Sequence, residues 1–446
     1  MRDLTTGNVS RQILKFTAPM LLGNLLQQTY SIVDCIIVGR LIGKEALAAV
    51  GASFPIIFVL ISFVIGIASG GTIVISQYYG AKDYIRVRKA IDTMYIFAFF
   101  ASIVVMTFGI IFGAEIFRMI KLPAEIIPQA TLYLRIFLSG TIVIFGFNGT
   151  SAILRGIGDS VTPLIFLVIS SIINVFLVII FVKYLHLGIG GAAWATVISQ
   201  ALAFFGSVIY LNKTHKLIRL RFRELVFDRE IFWKSFKIGL PSGFQQTFVS
   251  LGMIAIFRII NGFGANIIAA YTVVGRIDNF AMMPAMNFGQ AISTFTGQNI
   301  GANKKKRAQS GLIATITMSS LISLIITIVV IAFRYPIMAM FTTDEAVISI
   351  GAEYLIIVSS CYIIFSVMFS LNGLLRGAGD TLVPMIITLL SLWIIRIPFA
   401  YFLSNSIGEK GIWWAIPIAW LAGALFSFFY YLTGKWKNKG LIYYEN

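Results

Sequence analysis

The sequence is poor in the residues that most catalytic and metal sites use. Its 446 residues include only two cysteines and two histidines. Cys35 and Cys361 lie in separate apolar stretches, so neither a disulfide framework nor a zinc site is predicted. His186 and His215 lie in polar connections, which leaves little for serine–histidine or histidine–metal chemistry. A GxxxxGK[ST] phosphate loop is also missing, and we predict neither an enzyme nor a cofactor.

Charged residues are scarce as well. They make up 12% of the chain and hydrophobic residues 58%, against about 25% and roughly 45–50% in soluble domains. The apolar residues form long stretches, and about twenty such residues let one helix cross a bilayer. We therefore predict an all-α integral membrane protein with twelve transmembrane helices. Their approximate bounds are 16–38, 46–75, 91–113, 132–153, 162–182, 189–211, 235–260, 267–297, 311–333, 350–374, 382–404 and 411–433.

The two halves of the chain repeat each other. The segment LRGIGD at 154–159 returns as LRGAGD at 375–380, and a similar spacing relates Gln77 to Gln298. Six predicted helices fall in each copy, which predicts two six-helix lobes related by internal duplication with a cleft between them. We assign residues 1–211 to the N-lobe, 212–234 to a cytoplasmic linker and 235–446 to the C-lobe. The linker is either a charged tether or a helix lying on the membrane surface.

The formal charge of +17 indicates orientation in a membrane better than nucleic-acid binding. Basic residues are concentrated in every second connection, for example between Lys82 and Lys89 and between Lys304 and Arg307. This pattern predicts that both termini face the cytoplasm. The polar start, Met1–Gln12, predicts no cleavable signal peptide. The partners expected from this pattern are the lipid bilayer and no nucleic acid.

Asp34 stands out because it is an acid inside an apolar stretch, TYSIVDCIIVG. A charge within a bilayer costs at least about 2.5 kcal/mol, so such a residue is predicted to be functional. Gln27, Tyr30 and Asp34 are spaced i, i+3 and i+7, which places them on one helix face. Pro19 and Gly23 make the preceding turns a candidate bend.

These motifs together resemble the multidrug and toxic compound extrusion (MATE) family of cation-coupled antiporters. LRGxGD follows the fourth predicted helix of each half, QYYGAKD (77–83) follows the second and GQNIGANKKK (297–306) follows the eighth. Pro19 stands fifteen residues before Asp34. The resemblance extends from about Thr6 to about Lys435. It implies a V-shaped molecule with a central cleft that exports amphipathic organic cations, drugs or metabolites by alternating access.

The resemblance also implies where the coupling cation, H⁺ or Na⁺, binds. It adds three polar residues to Asp34 in the N-lobe: Asn148, Asn174 and Thr196. Family members often have an aspartate where this chain has Val178. One carboxylate suffices for a proton, whereas sodium prefers several oxygen ligands, and these residues can supply either. The C-lobe counterpart of Asp34 is Ala255, so we predict cation coupling in the N-lobe and no metal beyond a possible Na⁺.

The remaining site predictions concern the cleft and its gates. Residues assigned to the substrate cleft have polar or flexible side chains within a span: Gln27, Tyr30, Gln200, Gln245, Gln246, Asp278, Met282, Met286 and Asn287. Asp278 either attracts a cationic substrate, relays a proton, or forms an ion pair with Arg258 or Arg396. Residues assigned to gating or hinges are Pro19, Gly23, Arg155, Asp159, Arg376 and Asp380. Asp159 and Asp380 are expected to cap the helices that follow them.

The function predicted from sequence is therefore H⁺- or Na⁺-coupled antiport of a small molecule, with an organic cation as the expected substrate. We expect a monomer in a bacterial inner membrane, spanning it many times. The alternative is a lipid-linked oligosaccharide flippase of the same superfamily. Three arginines within predicted spans keep that alternative open: Arg258, Arg276 and Arg396.

Overall fold

The computed structural model describes residues 2–120, 122–215, 217–221 and 223–442, which form an almost entirely helical chain. The helices of the first half are α1 Val9–Leu41, α2 Lys44–Gly80, α3 Tyr84–Met119, α4 Ile127–Ser139, α5 Thr141–Gly156, α6 Val161–Ile179 and α7 Gly188–Thr214. Those of the second half are α8 Arg229–Ile260, α9 Ala265–Gly301, α10 Lys305–Ala332, α11 Arg334–Ala339, α12 Glu345–Ser359, α13 Tyr362–Gly377, α14 Leu382–Leu389, α15 Ile397–Ile407 and α16 Glu409–Leu432. Short π-helical segments, Ile180–Tyr184 and Leu390–Arg396, continue α6 and α14. Two residues of the predicted linker, Lys216 and Phe222, and the end of the predicted C-lobe, 443–446, lie outside the described residues.

Nine helices in the described ranges are long and apolar enough to cross a membrane, and two bent helix pairs bring the number to eleven. These eleven match all the predicted spans except the eighth. The eighth corresponds to α9, whose 37 residues are long enough to cross a membrane, but α9 is not among the described helices that are also apolar enough. The prediction of an all-helical membrane protein is confirmed, whereas the count of twelve spans stays a prediction.

Two predicted spans are not single helices. The span predicted at 132–153 is bent by 53° between α4 and α5, and the span at 350–374 is bent by 48° between α12 and α13. At the first break, the Ser139 hydroxyl donates to Ile136 O at 2.6 Å and the Thr141 hydroxyl donates to Leu138 O at 2.7 Å. Hydroxyls that bond carbonyls of their own helix favour bending, and Gly140 lies between them.

The contacts divide the chain into two units that differ from simple halves. Unit 1 contains residues 1–2 and 18–243, and unit 2 contains residues 3–17 and 244–446. One boundary falls within α1 beside Pro19, and the other falls within α8 close to Pro241. The segment that opens each half of the sequence is therefore grouped with the other half.

Hydrogen bonds explain why the N-terminal segment belongs to unit 2. Leu4 N donates to Gln298 Oε1 at 3.0 Å, at the end of α9. The Arg307 guanidinium donates to the carbonyls of Leu4, Thr6 and Gly7 at 2.6–3.3 Å. These bonds satisfy backbone N–H and C=O groups of residues 4–7 that have no partner within a helix. They therefore fix residues 4–7 to the α9–α10 junction.

The end of the linker is fixed to unit 1 in a similar way. Asp228 N donates to Thr93 Oγ1 at 3.0 Å, and Lys89 Nζ lies 3.3 Å from Asp228 Oδ2. The Ile231 N–H that the carboxylate accepts and the nearby Lys89 lower the pKa of Asp228. Because folding lowers the pKa of Asp228, its charged carboxylate stabilises the folded state. This stabilisation is fully present above the ordinary carboxyl pKa and is lost as the pH falls through the lowered value.

Glycines let helices approach backbone to backbone in each unit. In unit 1, a Cβ on Gly70 of α2 would lie 2.5 Å from Gly239 N of α8, and a Cβ on Gly239 would lie 2.7 Å from Gly66 O. In unit 2, Gly373 and Gly377 of α13 have no room for a Cβ against the backbone of α9. Small residues at helix crossings are a principal source of packing in membrane proteins.

Candidate functional site

Asp34 lies in the part of α1 that belongs to unit 1. It is seven residues before the end of the helix at Leu41, which corresponds to about 10 Å of helix. Its side chain is half-buried, and Oδ1 is buried without a hydrogen-bond partner among the described residues. A buried carboxylate oxygen without a partner is costly, so its presence calls for a ligand such as a cation.

Three of the residues that the sequence analysis grouped with Asp34, namely Tyr30, Asn174 and Thr196, form a connected polar network in unit 1. Tyr30 is hydrogen-bonded to Thr196 and lies within electrostatic reach of Asp34. Asn174 Nδ2 donates to Thr196 Oγ1 at 3.3 Å and to Ser199 Oγ at 3.5 Å. Asn174 is only 1% exposed, so this network lies inside the helix bundle.

Of the six buried side-chain oxygens in the described part of unit 1 that have no hydrogen-bond partner, three belong to residues predicted for the site. Besides Asp34 Oδ1, they are Asn174 Oδ1 and Gln200 Oε1, each buried and without a hydrogen bond in the described part of the chain. Hard cations bind oxygen ligands, and a proton needs one carboxylate oxygen. Val178 is fully buried on α6, so the departure from the family pattern puts apolar packing where a second acid would be.

Other predicted residues of unit 1 lie outside this network. Asn148 is exposed on α5, and its amide donates to Ile144 O at 2.8 Å. Gln27 is exposed on α1. Gly23 is buried where a Cβ would make ordinary contacts with Leu164 and Leu167, so its small size is not needed for packing there.

Unit 2 holds its own buried acid on α9. Asp278 accepts hydrogen bonds from Tyr354 Oη and Tyr362 Oη, each at 2.5 Å, and is 8% exposed. Arg396 acts on it electrostatically, but Asp278 forms no ion pair within 4 Å among the described residues. Hydroxyl donors, rather than the arginine partners considered from sequence, therefore satisfy both carboxylate oxygens.

Of the remaining predicted cleft residues of unit 2, some form hydrogen bonds inside the unit and the others are exposed or half-buried. Gln245 is buried, accepts from Arg376 Nη2 at 2.7 Å and donates to Thr388 Oγ1 at 2.5 Å. Asn287 is buried and donates to Met283 O at 2.8 Å. The other three are exposed or half-buried: Gln246, Met282 and Met286. Gln245, predicted for the cleft, is thus hydrogen-bonded to Arg376, which was predicted for gating.

The LRGxGD segments are structural junctions. Asp159 Oδ1 accepts from Val161 N and Thr162 N at 3.0 Å, which confirms that it caps α6. Asp380 instead accepts from Tyr430 Oη of α16 at 2.5 Å. The second glycine of each motif, Gly158 or Gly379, has a φ of 85° or 97°, a conformation that favours glycine. Arg155 ends α5 as Arg376 ends α13.

The duplication can now be compared with known families. Residues 19–180 and residues 241–402 each match the family model described as MatE. The chain belongs to the MatE family. The resemblance predicted from the motifs is confirmed, and MatE proteins are membrane transporters, so the expectation that the chain is no enzyme is confirmed too.

Individual MatE relatives cover nearly the whole chain. The "Probable multidrug resistance protein YpnP" of Bacillus subtilis is 32% identical over 439 residues, covering 98% of this chain and 97% of that protein. The "Probable multidrug resistance protein NorM" of Thermotoga maritima is 26% identical and covers 97% of this chain and 94% of its own length. A solved "Outward-facing conformation of a multidrug resistance MATE family transporter" has a TM-score of 0.91 at 24% identity, with 98% of each chain covered. That structure supports the fold.

Four residues of these polar sites were missed from sequence in this MatE protein: Tyr133, Ser199, Tyr354 and Tyr362. Tyr133 on α4 lies within electrostatic reach of Asp34, and Ser199 bonds Asn174. Tyr133 and Tyr354 occupy matching positions in the two copies, and each lies near the acid of its own unit. That match was the available signal, because a tyrosine shared by both copies marks a common polar position.

Removing the two hydroxyls that hold Asp278 is expected to destabilise unit 2. Tyr354→Phe or Tyr362→Phe leaves one carboxylate oxygen of a buried acid unsatisfied, which costs about 1–3 kcal/mol. The measurement is the free energy of unfolding of the purified protein in detergent. Tyr335→Phe is the matched control, because Tyr335 is 50% exposed and should leave stability unchanged. Equal stability of Tyr354→Phe, Tyr362→Phe and the wild type would contradict a bonded Asp278.

Proposed function

We propose that this MatE protein is a multidrug efflux transporter that exchanges amphipathic organic cations for H⁺ or Na⁺ bound at Asp34. The observation that supports the proposal is the buried, unpartnered Asp34 Oδ1 near a polar network in which Asn174 Oδ1 is also buried and unpartnered. The names of its relatives, such as the multidrug resistance protein YpnP, support the substrate class. Asn174, Thr196 and Gln200 complete the proposed cation site.

Coupling follows from competition between two states. Substrate and cation favour opposite-facing states, so binding of one promotes release of the other by alternating access. Asp34 contributes if its affinity for the cation differs between those states. A charged Asp34 attracts a cationic substrate electrostatically, whereas a neutralised Asp34 does not.

The proposed setting is a bacterial inner membrane with both termini in the cytoplasm and a monomeric transporter. The support for this orientation is the concentration of basic residues in every second connection, including Lys304–Arg307. Cysteine labelling from outside intact cells tests the orientation. A cysteine introduced at Lys437 should be protected and one introduced at Lys410 should react.

The experiment that tests the function uses purified protein in liposomes loaded with a fluorescent organic cation. An imposed pH gradient is applied first and an imposed sodium gradient second, each without the other. We expect one of the gradients to drive transport against the substrate's own gradient and protein-free liposomes to show none. Transport that only follows the substrate's own gradient under both conditions would contradict coupling.

A second candidate function has a specific observation in its favour. Arg258 and Arg276 lie within the long helices α8 and α9 of unit 2 and have exposed side chains, which suits an anionic substrate such as a lipid-linked oligosaccharide. A headgroup-flipping assay with such a lipid separates this flippase function from cation efflux.

A further inference from the structure

Unit 2 contains a pocket beside Arg258 that the proposed transport cycle does not use. Its volume is about 690 Å³, and it lies between the end of α8 and α15. Its walls come from ten residues: Ala255, Arg258, Ile259, Phe263, Ile397, Pro398, Tyr401, Phe402, Ser404 and Asn405. The pocket is large enough for part of a lipid-sized molecule.

Arg258 has no counter-charge among the residues that the structure describes, where it forms neither a hydrogen bond nor an ion pair. Asp278, the partner considered from sequence, accepts hydrogen bonds from two tyrosines instead. An arginine within a spanning helix is costly unless it reaches water, an anion or a carbonyl. The Arg258 side chain is exposed and lines the pocket, so the pocket can present an anionic group to it.

The polar side chains of the pocket wall other than Tyr401 lie near one end, together with the apolar Phe263, and the rest of the wall is apolar. Arg258 lies two residues before the end of α8 at Ile260, and Asn405 lies two residues before the end of α15 at Ile407. Ala255 and Pro398 line the pocket deeper in the two helices, about 7.5 Å before Ile260 and about 13.5 Å before Ile407 respectively. A helix end marks the level of lipid headgroups, and the interior of the span marks the level of acyl chains.

The two copies of the repeat differ in charge at this place. Ala255 is the counterpart of Asp34, and Arg258 follows it by one helical turn. Unit 1 therefore has the acidic Asp34 where unit 2 has Ala255, and unit 2 has the basic Arg258 one turn later. The unit 2 pocket lacks a cation ligand and has an anion ligand instead.

We propose that the Arg258 pocket binds an anionic phospholipid, with the phosphate at Arg258 and Asn405 and an acyl chain along Ile397, Pro398 and Tyr401. The phosphate neutralises the arginine, and the chain fills an apolar groove that water would otherwise occupy. The gradient from polar to apolar follows that of the surrounding leaflet, so a lipid of the membrane enters it without reorientation. The bound lipid is a fixed component of unit 2 rather than a transported substrate.

Native mass spectrometry of the purified transporter tests this proposal. Phosphatidylglycerol and phosphatidylcholine are titrated separately, and bound lipid is counted for each variant. Wild type should bind one phosphatidylglycerol in preference to phosphatidylcholine, and Arg258→Gln should weaken that binding about tenfold. Arg276→Gln is the matched control, because it removes another exposed arginine of the same unit outside the pocket, and it should bind like wild type.

A second variant separates loss of the lipid from loss of the fold. Ala255→Leu narrows the pocket while retaining the charge, and it should also lose the preferred lipid while its melting temperature without lipid stays near the wild-type value. Wild-type lipid binding by folded Arg258→Gln would overturn the proposal. Displacement of the phospholipid by a transported compound would overturn it as well, because the pocket would then be a substrate subsite.

Discussion

Asp34→Asn is expected to abolish gradient-driven efflux while the protein still inserts and folds. Asparagine has nearly the same shape as aspartate, but it neither binds a proton at neutral pH nor supplies the negative charge that a sodium site needs. If no cation binds with different affinity to the two opposite-facing states, the cation gradient cannot drive transport. The measurement is accumulation of a fluorescent cation in proteoliposomes, which should fall to the level of protein-free liposomes under both gradients.

Ser31→Ala provides the matched control on the same helix. Ser31 lies close to Asp34, but its hydroxyl is exposed and donates to Gln27 O of its own helix at 3.0 Å. Removing that hydroxyl should leave efflux near the wild-type rate. Gradient-driven efflux by Asp34→Asn at the wild-type rate would assign coupling to another residue, and Asp278 would be the next acid to test.

Gly70→Ala is expected to destabilise the protein strongly, because α2 and α8 are in backbone contact at this glycine. The new Cβ would lie 2.5 Å from Gly239 N and 2.8 Å from Gly239 Cα, and it would also meet Ser235 O. These atoms belong to backbone, so no side chain can rotate away and α2 and α8 must separate. Overpacking costs about 1–3 kcal/mol and occasionally more, and a backbone clash belongs at the upper end. The measurement is the free energy of unfolding in detergent together with the yield of monodisperse protein.

Gly51→Ala on the same helix isolates the effect of the crossing. A Cβ on Gly51 meets nothing within 4 Å. Alanine also favours helix by up to about 1 kcal/mol relative to glycine. The Gly51 variant should therefore be as stable as wild type or slightly more stable. If Gly70→Ala behaved like Gly51→Ala, α2 and α8 would not be in backbone contact.

The repeat and the membrane spans were predictable because they depend on composition over many residues. A run of about twenty apolar residues predicts a transmembrane helix. The LRGxGD motifs at 154–159 and 375–380 fix the alignment of the two copies. The breaks near Gly140 and Ser360 were not predicted, because hydropathy averages over twenty residues conceal one glycine or one serine. Only the backbone shows that α4 and α5 differ in direction by 53°.

The candidate site was predictable in part for a related reason. Asp34 was found because a lone acid among apolar residues is conspicuous, and Asn174 and Thr196 came from the family resemblance. The bond from Tyr354 to Asp278 joins residues 76 positions apart, and the bond from Leu4 to Gln298 joins residues 294 positions apart. No local pattern encodes such pairs, so the tyrosine partners and the docking of the N-terminal segment required the structure.

The central claim is that one carboxylate exchanges its cation when substrate binds. Its most direct measurement is the release of cation when an organic cation is added to purified transporter, followed with a pH indicator in weak buffer and with a sodium electrode. The proposed coupling predicts that the wild type releases about one H⁺ or one Na⁺ for each substrate bound, and that Asp34→Asn binds substrate and releases neither. Equal cation release by wild type and Asp34→Asn would contradict it.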